Sequence, residues 1–328
     1  MTDNRRQTDR QHWQTFESVV CGLWSVVSLC ACGGTVDVAS APTPRIAVLS
    51  AFPAELAAVL EHASIDDAVQ IDDHVFREGK LGGVSVVIGM TGIGLLNATN
   101  TTRAMLDRFK VDGVVFSGVA GSTLRIGDVS IPVAWSLEDG TTYTAYQPWL
   151  DLAETITAPG AVSLENCTVV PASGQSVCLA YAPAIAVGGV GQSSDPFGKV
   201  PVRCQPQGND VFGCDVTSEG SASVSEADSG PHETVAAAAA EAPIVEDMET
   251  AAVAREVTAR GLPFIGFRSV SDGPGDPLGL PGFPAQFFAY YRLSAHNAAA
   301  AAAAFLERLA HASATRIPSS AADTMPPA

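Results

Sequence analysis

Apolar runs alternate with amphipathic stretches from residue 44 to about 140, and the alternation returns after residue 232. RIAVLS at 45–50 is a β-branched apolar run that stops at a turn, which predicts a buried strand. A helix is predicted over 52–62, with Leu56, Val59 and Leu60 on one face. VFREGKL and VSVVIGM, separated by Gly82 and Gly83, read as a hairpin within 75–90. The turn TGIG at 91–94 opens a helix to about Lys110, and GVVFS at 113–117 is a further strand leading into Gly118 and Gly121. GDVSIPVAW ends this half. In the second half the pattern predicts a helix over 244–260 beginning near Asp247, a strand at 263–270 and a closing helix over 284–311. Strands alternating with helices predict an α/β fold with a largely parallel sheet.

Two segments break the pattern. Residues 140–232 are rich in Ser, Gly, Pro and Asp, hold four cysteines and have only brief apolar runs such as 184–190, so they read as mostly an insertion. At the N-terminus, a polar stretch with Arg5, Arg6 and Arg10 precedes the uncharged apolar run 18–31. That run is too short to span a bilayer as a helix and suits the core of a secretory signal. Leu29-Cys30-Ala31-Cys32-Gly33-Gly34 resembles a bacterial lipobox, which implies lipidation of Cys32 after removal of 1–31, with 32–43 as a flexible tether. A plain signal peptide cut nearby, or a buried N-terminal helix, is the alternative. A single lipidated cysteine anchors a protein to a membrane without spanning it. The expected location is therefore outside the cytoplasm, on the periplasmic or surface side of a bacterial membrane. Residues 313–328 read as a disordered tail.

Composition narrows the function. With 35 acidic against 18 basic side chains among 328 residues, the formal charge of −17 excludes a nucleic-acid partner held by phosphate neutralisation. At 47% hydrophobic and 16% charged, the chain is not of the disordered class. Its seven cysteines divide by position. Cys21 and Cys30 leave with the leader and Cys32 takes the lipid, leaving Cys167, Cys178, Cys204 and Cys214 in the insertion. An exported protein keeps such an even set as disulfides. Three pairings are open, and Cys167–Cys178 with Cys204–Cys214 is preferred because it staples local loops. The leader carries as many bases as acids, so the acidity belongs to the mature domain.

Five segments together resemble the nucleoside phosphorylase and nucleosidase superfamily, which includes the methylthioadenosine/S-adenosylhomocysteine nucleosidases. They are IAVLSAFPAEL at 46–56, TGIG at 91–94, SGVAGS at 117–122 with GDVSIP at 127–132, VEDMETAAVA at 245–254 and PFIGFRSVSDG at 263–273. Order and spacing match over roughly 44–140 and 233–310. The cysteine-bearing insertion resembles the secreted branch that includes plant bark storage proteins. The resemblance implies a single three-layer αβα domain over 44–312, with a twisted mixed β-sheet and the insertion at about 140–232. It also implies cleavage of the N-glycosidic bond of a purine nucleoside, without a cofactor.

Such a cleavage passes through an oxocarbenium-like sugar, as in other glycoside hydrolyses. It needs an acid for the departing base, a carboxylate for the sugar and a base for the attacking water. The resemblance places Asp272 at the purine, Glu249 with Met248 at the ribose, and Glu55 at the water. A turn cap, a solvated helix terminus and an exposed helix residue are the respective ordinary alternatives. Thr91 and its glycines would serve the sugar side, and Gly121, with Gly118, would let backbone approach the base. Ser194-Asp195-Pro196-Phe197 resembles the family's Ser-Gly-Asp-X-Phe segment, which implies a stacking role for Phe197. A phosphate-dependent phosphorylase and a non-catalytic nucleoside-binding or storage lipoprotein are the competing functions, but a pure binder has no use for Glu55. No metal is expected, because His12, His62, His74, His232, His296 and His311 show no paired ligand spacing, and the dinucleotide motif GxGxxG is absent. The expected partner is a small-molecule nucleoside, and homo-oligomerisation stays open.

Overall fold

The computed structural model describes residues 44–198, 200–216 and 244–315. The leader, Cys32, the tether to residue 43 and the tail beyond 315 lie outside the described residues. The chain begins with strand β1 (Arg45–Ser50) and helix α1 (Pro53–Leu60), then β2 (Ala63–Ile71), β3 (His74–Leu81), β4 (Val84–Met90) and helix α2 (Leu95–Arg108). Next come β5 (Gly113–Ser122), β6 (Val129–Ile131), β7 (Ala134–Leu137), β8 (Thr142–Thr144) and helix α3 (Gln147–Ala153). The middle of the chain supplies β9 (Cys167–Val169), β10 (Ser176–Cys178), β11 (Ile185–Val187) and β12 (Val190–Ser193). β13 (Ile244–Asp247), α4 (Thr250–Thr258), β14 (Phe264–Asp272) and α5 (Gly282–Thr315) complete it.

The main sheet runs β2-β3-β4-β1-β5-β13-β12-β7-β8, with β14 on β5 and β6, and β11 on β6. β1 is parallel to β4 and β5, and β14 is parallel to β5, whereas the β2–β3–β4 and β7–β8 pairs are antiparallel. The sheet is therefore mixed. α1 and α3 pack with α5 on one side, and α2 packs with α4 on the other, giving three layers. The four inner strands are nearly continuous apolar runs, as strands covered on both faces are.

Four parts of the chain differ from the sequence-based expectation. β2 was not foreseen: its residues, ASIDDAVQI, are mostly exposed, and it is an edge strand held by antiparallel pairing to β3. The helix expected from 244 opens instead as β13, and the helix proper starts at Thr250. The segment read as an insertion gives β11 and β12 to the main sheet, where β12 lies between β7 and β13. α5 runs to Thr315, so the first residues of the foreseen tail are helical.

β5 explains where a crevice forms. One of its edges pairs with β14 from Val114 to Gly121. Its other edge pairs with β1 only as far as Phe116 and with β13 only from Gly121 onward. Between them, no strand among the described residues lies beside the backbone of Ser117 to Ala120 on that edge, at the carboxyl ends of β1 and β5. Open α/β sheets place ligands at such a divergence of strands.

Candidate active site

The gap beside β5 is filled by a side chain. Glu55, in the first turn of α1, accepts the Val119 N–H on Oε1 at 2.7 Å and the Ala51 N–H on Oε2 at 2.6 Å. Its carboxylate thus replaces a strand partner for β5 and closes the turn after β1, which fixes it at 2% exposure. An exposed helix residue, the ordinary alternative for Glu55, is excluded.

Opposite it stands Arg268, in the middle of β14 and fully buried. Its guanidinium lies 2.5 Å from Asp247, 3.3 Å from Glu249 and 3.5 Å from Glu55. Nε donates to Thr250 Oγ1 at 2.9 Å, and the group lies over the Phe116 ring at 4.3 Å. Asp247 also accepts from the hydroxyls of Ser193 and Thr250 and from the N–H of Thr250, so it both caps α4 and anchors the arginine. Glu249, 5% exposed at the start of α4, accepts the Gly94 N–H at 2.8 Å. It is not a solvated helix terminus.

One buried cation facing three carboxylates leaves negative charge in excess, and low-dielectric surroundings favour neutralising it by protonation. Burial pushes the Glu55 carboxyl from 4.5 to about 7, against the opposing pull of Arg268 and the two backbone donors. Burial and the Asp247 charge raise Glu249 as well. Glu55 is thereby poised near neutrality, where a general base works best. These raised values also set a stability trend. Unfolded glutamates lose their protons near 4.5, whereas the folded protein holds the Glu55 proton to about 7. The stabilisation is complete below the unfolded value and is lost as pH rises through the folded one. Thermal melts between pH 5 and 8.5 are expected to fall steadily with pH, and Glu55→Gln is expected to flatten that fall.

Asp272 ends β14, across from Gly121. Its Oδ1 accepts the Ser271 hydroxyl at 2.8 Å, and Oδ2 sits so near Gly121 that a Cβ there would come within 2.5 Å. Burial is the main cause that raises its carboxyl, with the Glu246 charge adding to it and the Ser271 hydrogen bond opposing. A half-buried carboxyl whose surroundings favour its protonated form suits proton donation.

The remaining residues are placed unequally. Thr91 is buried, but its hydroxyl faces the carbonyls of Ser50 and Gly92, so the group of that turn that reaches Glu249 is the Gly94 N–H. Met248 is half-buried between Asp247 and Glu249. Phe197 is 41% exposed and lies near Gly94, on the Glu249 side. The cysteines pair as Cys167–Cys178 and Cys204–Cys214. Arg268 and Asp247 were not singled out from the sequence. An arginine inside the apolar strand PFIGFRSV was the available sign, since arginine is seldom fully buried without partners. Gly118 has a definite steric reason: a methyl there would overlap Arg268 Nη1 and Glu55 Oε1. Gly118→Ala is expected to cost about 1–3 kcal/mol by overpacking, read from denaturant unfolding.

The comparisons with known proteins agree with this architecture. The uncharacterized protein Rv2293c of Mycobacterium tuberculosis is 39% identical over 191 residues, 51% of this chain and 75% of that one. A 5′-methylthioadenosine/S-adenosylhomocysteine nucleosidase of Geobacillus is 34% identical over 90 residues, which span 26% of this chain and 39% of that enzyme. Among solved structures, the 5′-methylthioadenosine/S-adenosylhomocysteine nucleosidase of Neisseria meningitidis, in complex with methylthio-immucillin-A, superposes with a TM-score of 0.54. It is 20% identical, covering 80% of this chain and 99% of that one, a likeness of fold. The model of the phosphorylase superfamily matches residues 45–311, and the chain belongs to that family.

Proposed function

We propose that the protein hydrolyses the N-glycosidic bond of a purine nucleoside, releasing free base and ribose. The observation that carries this reading is the buried constellation of Glu55, Glu249 and Arg268, with Asp272 beyond it on the same strand as the arginine. The Glu249 carboxylate would accept the ribose hydroxyls and stabilise positive charge developing on the ring. Glu55 would take a proton from water at the anomeric carbon, while Asp272 gives one to the purine as the bond breaks. Arg268 orients both glutamates and holds Glu55 near neutrality. The similarity to nucleosidases of Geobacillus and other bacteria supports the same reaction class.

Water is favoured over phosphate as nucleophile by charge. Arg268 is the only cation among the described residues that touches Glu55 or Glu249, and three carboxylates already surround it. An incoming dianion would meet no free positive group there. The reaction needs Glu55 ionised, which occurs around pH 7, and Asp272 protonated, which burial favours, so the rate should respond to pH through both groups. Glu55→Gln is expected to lower kcat by roughly 10²–10⁴-fold and to remove the step near pH 7. The test is incubation with adenosine, inosine, guanosine and methylthioadenosine, with and without phosphate, following free base by chromatography. Release independent of phosphate is the expected result. A strict phosphate requirement would make the protein a phosphorylase, and binding without release would make it a carrier.

The protein is further read as exported and lipid-anchored through Cys32. Support comes from the pairing of all four described cysteines, which suits an oxidising compartment.

A further inference from the structure

The segment 202–215 is pinned on both shoulders of the crevice. On one side the Asp210 carbonyl accepts the Ala54 N–H at 2.7 Å, one of the unpaired donors at the start of α1. The Asp210 carboxylate takes the Tyr291 hydroxyl at 2.8 Å and Arg292 Nε at 2.7 Å, both from α5. On the other side, Asn97 of α2 donates to the Val202 carbonyl at 2.7 Å, and Asp215 pairs with Arg77 of β3 at 2.6 Å. The Cys204–Cys214 bond closes the loop between these anchors. Inside it, Asn209 Oδ1 receives the N–H groups of Val211 and Phe212, and Val211 is 3% exposed. This is a fixed cover with its own bonding.

Beneath the cover lies a small cavity. Ala51, Phe52, Gly92 and Ile93 form its floor, and Val202 and Phe212 are among the residues that roof it. Its floor is continuous with the reactive groups: the Ala51 N–H holds Glu55, and Gly94, next to Ile93, holds Glu249. Asp272 would face the base, and Glu249 the 2′- and 3′-hydroxyls. In that arrangement the 5′ end of the sugar, opposite the base, would lie on the side of Gly92, Ile93 and Phe52, which line the cavity. The cavity measures about 20 Å³, room for about one water-sized group.

We propose that the disulfide-closed loop is the specificity element for the 5′ end of the sugar. It admits the plain 5′-hydroxyl and excludes bulkier 5′ substituents. The proposal rests on the nucleosidase reading and adds to it the substrate class: unsubstituted purine nucleosides.

The test compares kcat/KM on the full-length protein for nucleosides with a 5′-hydroxyl, 5′-methylthio or 5′-butylthio group, in adenine and hypoxanthine series. Wild-type protein should prefer the hydroxyl to the butylthio group by at least about tenfold, the scale on which a misfitting apolar group is rejected. Phe212→Ala, which leaves the disulfide and the Asp210 anchors in place, should narrow that preference. Joint Cys204→Ser and Cys214→Ser replacement should narrow it further. Equilibrium binding of the same nucleosides to Asp272→Asn protein gives a second measure that needs no turnover. Equal cleavage of all three classes by the wild-type protein, or loop variants with unchanged ratios, would overturn the cover and leave the nucleosidase reading standing. Selective binding without base release would overturn the nucleosidase reading and keep the cover. No binding of any nucleoside would overturn both.

Discussion

Asp272→Asn is expected to lower the rate of base release by roughly 10²–10⁴-fold while leaving the fold intact. The amide has the shape of the carboxyl and keeps the oxygen that accepts the Ser271 hydroxyl. It can still donate a hydrogen bond to a purine nitrogen, but it has no proton to give up as the bond breaks. The loss should therefore fall on kcat more than on KM, the mark of an interaction made chiefly in the transition state. Burial already disfavours the charged form of Asp272, so a neutral amide should not destabilise the protein. The dependence of the rate on protonation of Asp272 should disappear in the variant. Steady-state kinetics across pH check all of this, and an unchanged rate would remove Asp272 from the mechanism.

The second large effect is structural. Arg268→Met removes the one cation among the described residues that Asp247, Glu249 and Glu55 share, at a site where all four side chains are buried. Breaking a buried ion pair on one side typically costs 3–5 kcal/mol, since the partner charge is left unpaired, and about that loss is expected here. Methionine fills much of the volume, so the loss is electrostatic more than steric. It should also depend on pH in a definite direction. Arg268 lowers the carboxyl values of Glu55 and Glu249, so without it both take up protons more readily. Acidification then relieves the unpaired charge, and the deficit should be smaller at pH 5 than at pH 8. Denaturant unfolding at the two values measures it. A loss below about 1 kcal/mol at pH 8, the scale of a surface pair, would mean that the cluster is not electrostatically coupled.

Legibility in the sequence followed the range of the interaction. β1, β4, β5 and β14 were readable because each is an apolar run long enough to show on its own. β2 was not, because an exposed edge strand needs no apolar alternation, and its pairing with β3 is what makes it a strand. β11 and β12 are three and four residues long and borrow their stability from β6, β7 and β13. The site divided in the same way. Glu55, Glu249 and Asp272 stand in short motifs, the first two buried and the third half-buried where the crevice forms. Arg268 and Asp247 meet only because β13 and β14 flank the same strand, which no local pattern reveals. The cover over the crevice was invisible for a related reason. Its cysteines were legible as a pair, but its docking runs through the Asp210 backbone carbonyl and the Asn97 side chain.

In the proposed reaction, water activated by Glu55 attacks the sugar as Asp272 protonates the base. The most direct measurement is cleavage in ¹⁸O-labelled water containing inorganic phosphate, with mass spectrometry of the released sugar. One ¹⁸O in free ribose, formed at the same rate when phosphate is omitted, is the predicted result. Ribose 1-phosphate without label, or no sugar released from any purine nucleoside, would contradict the account.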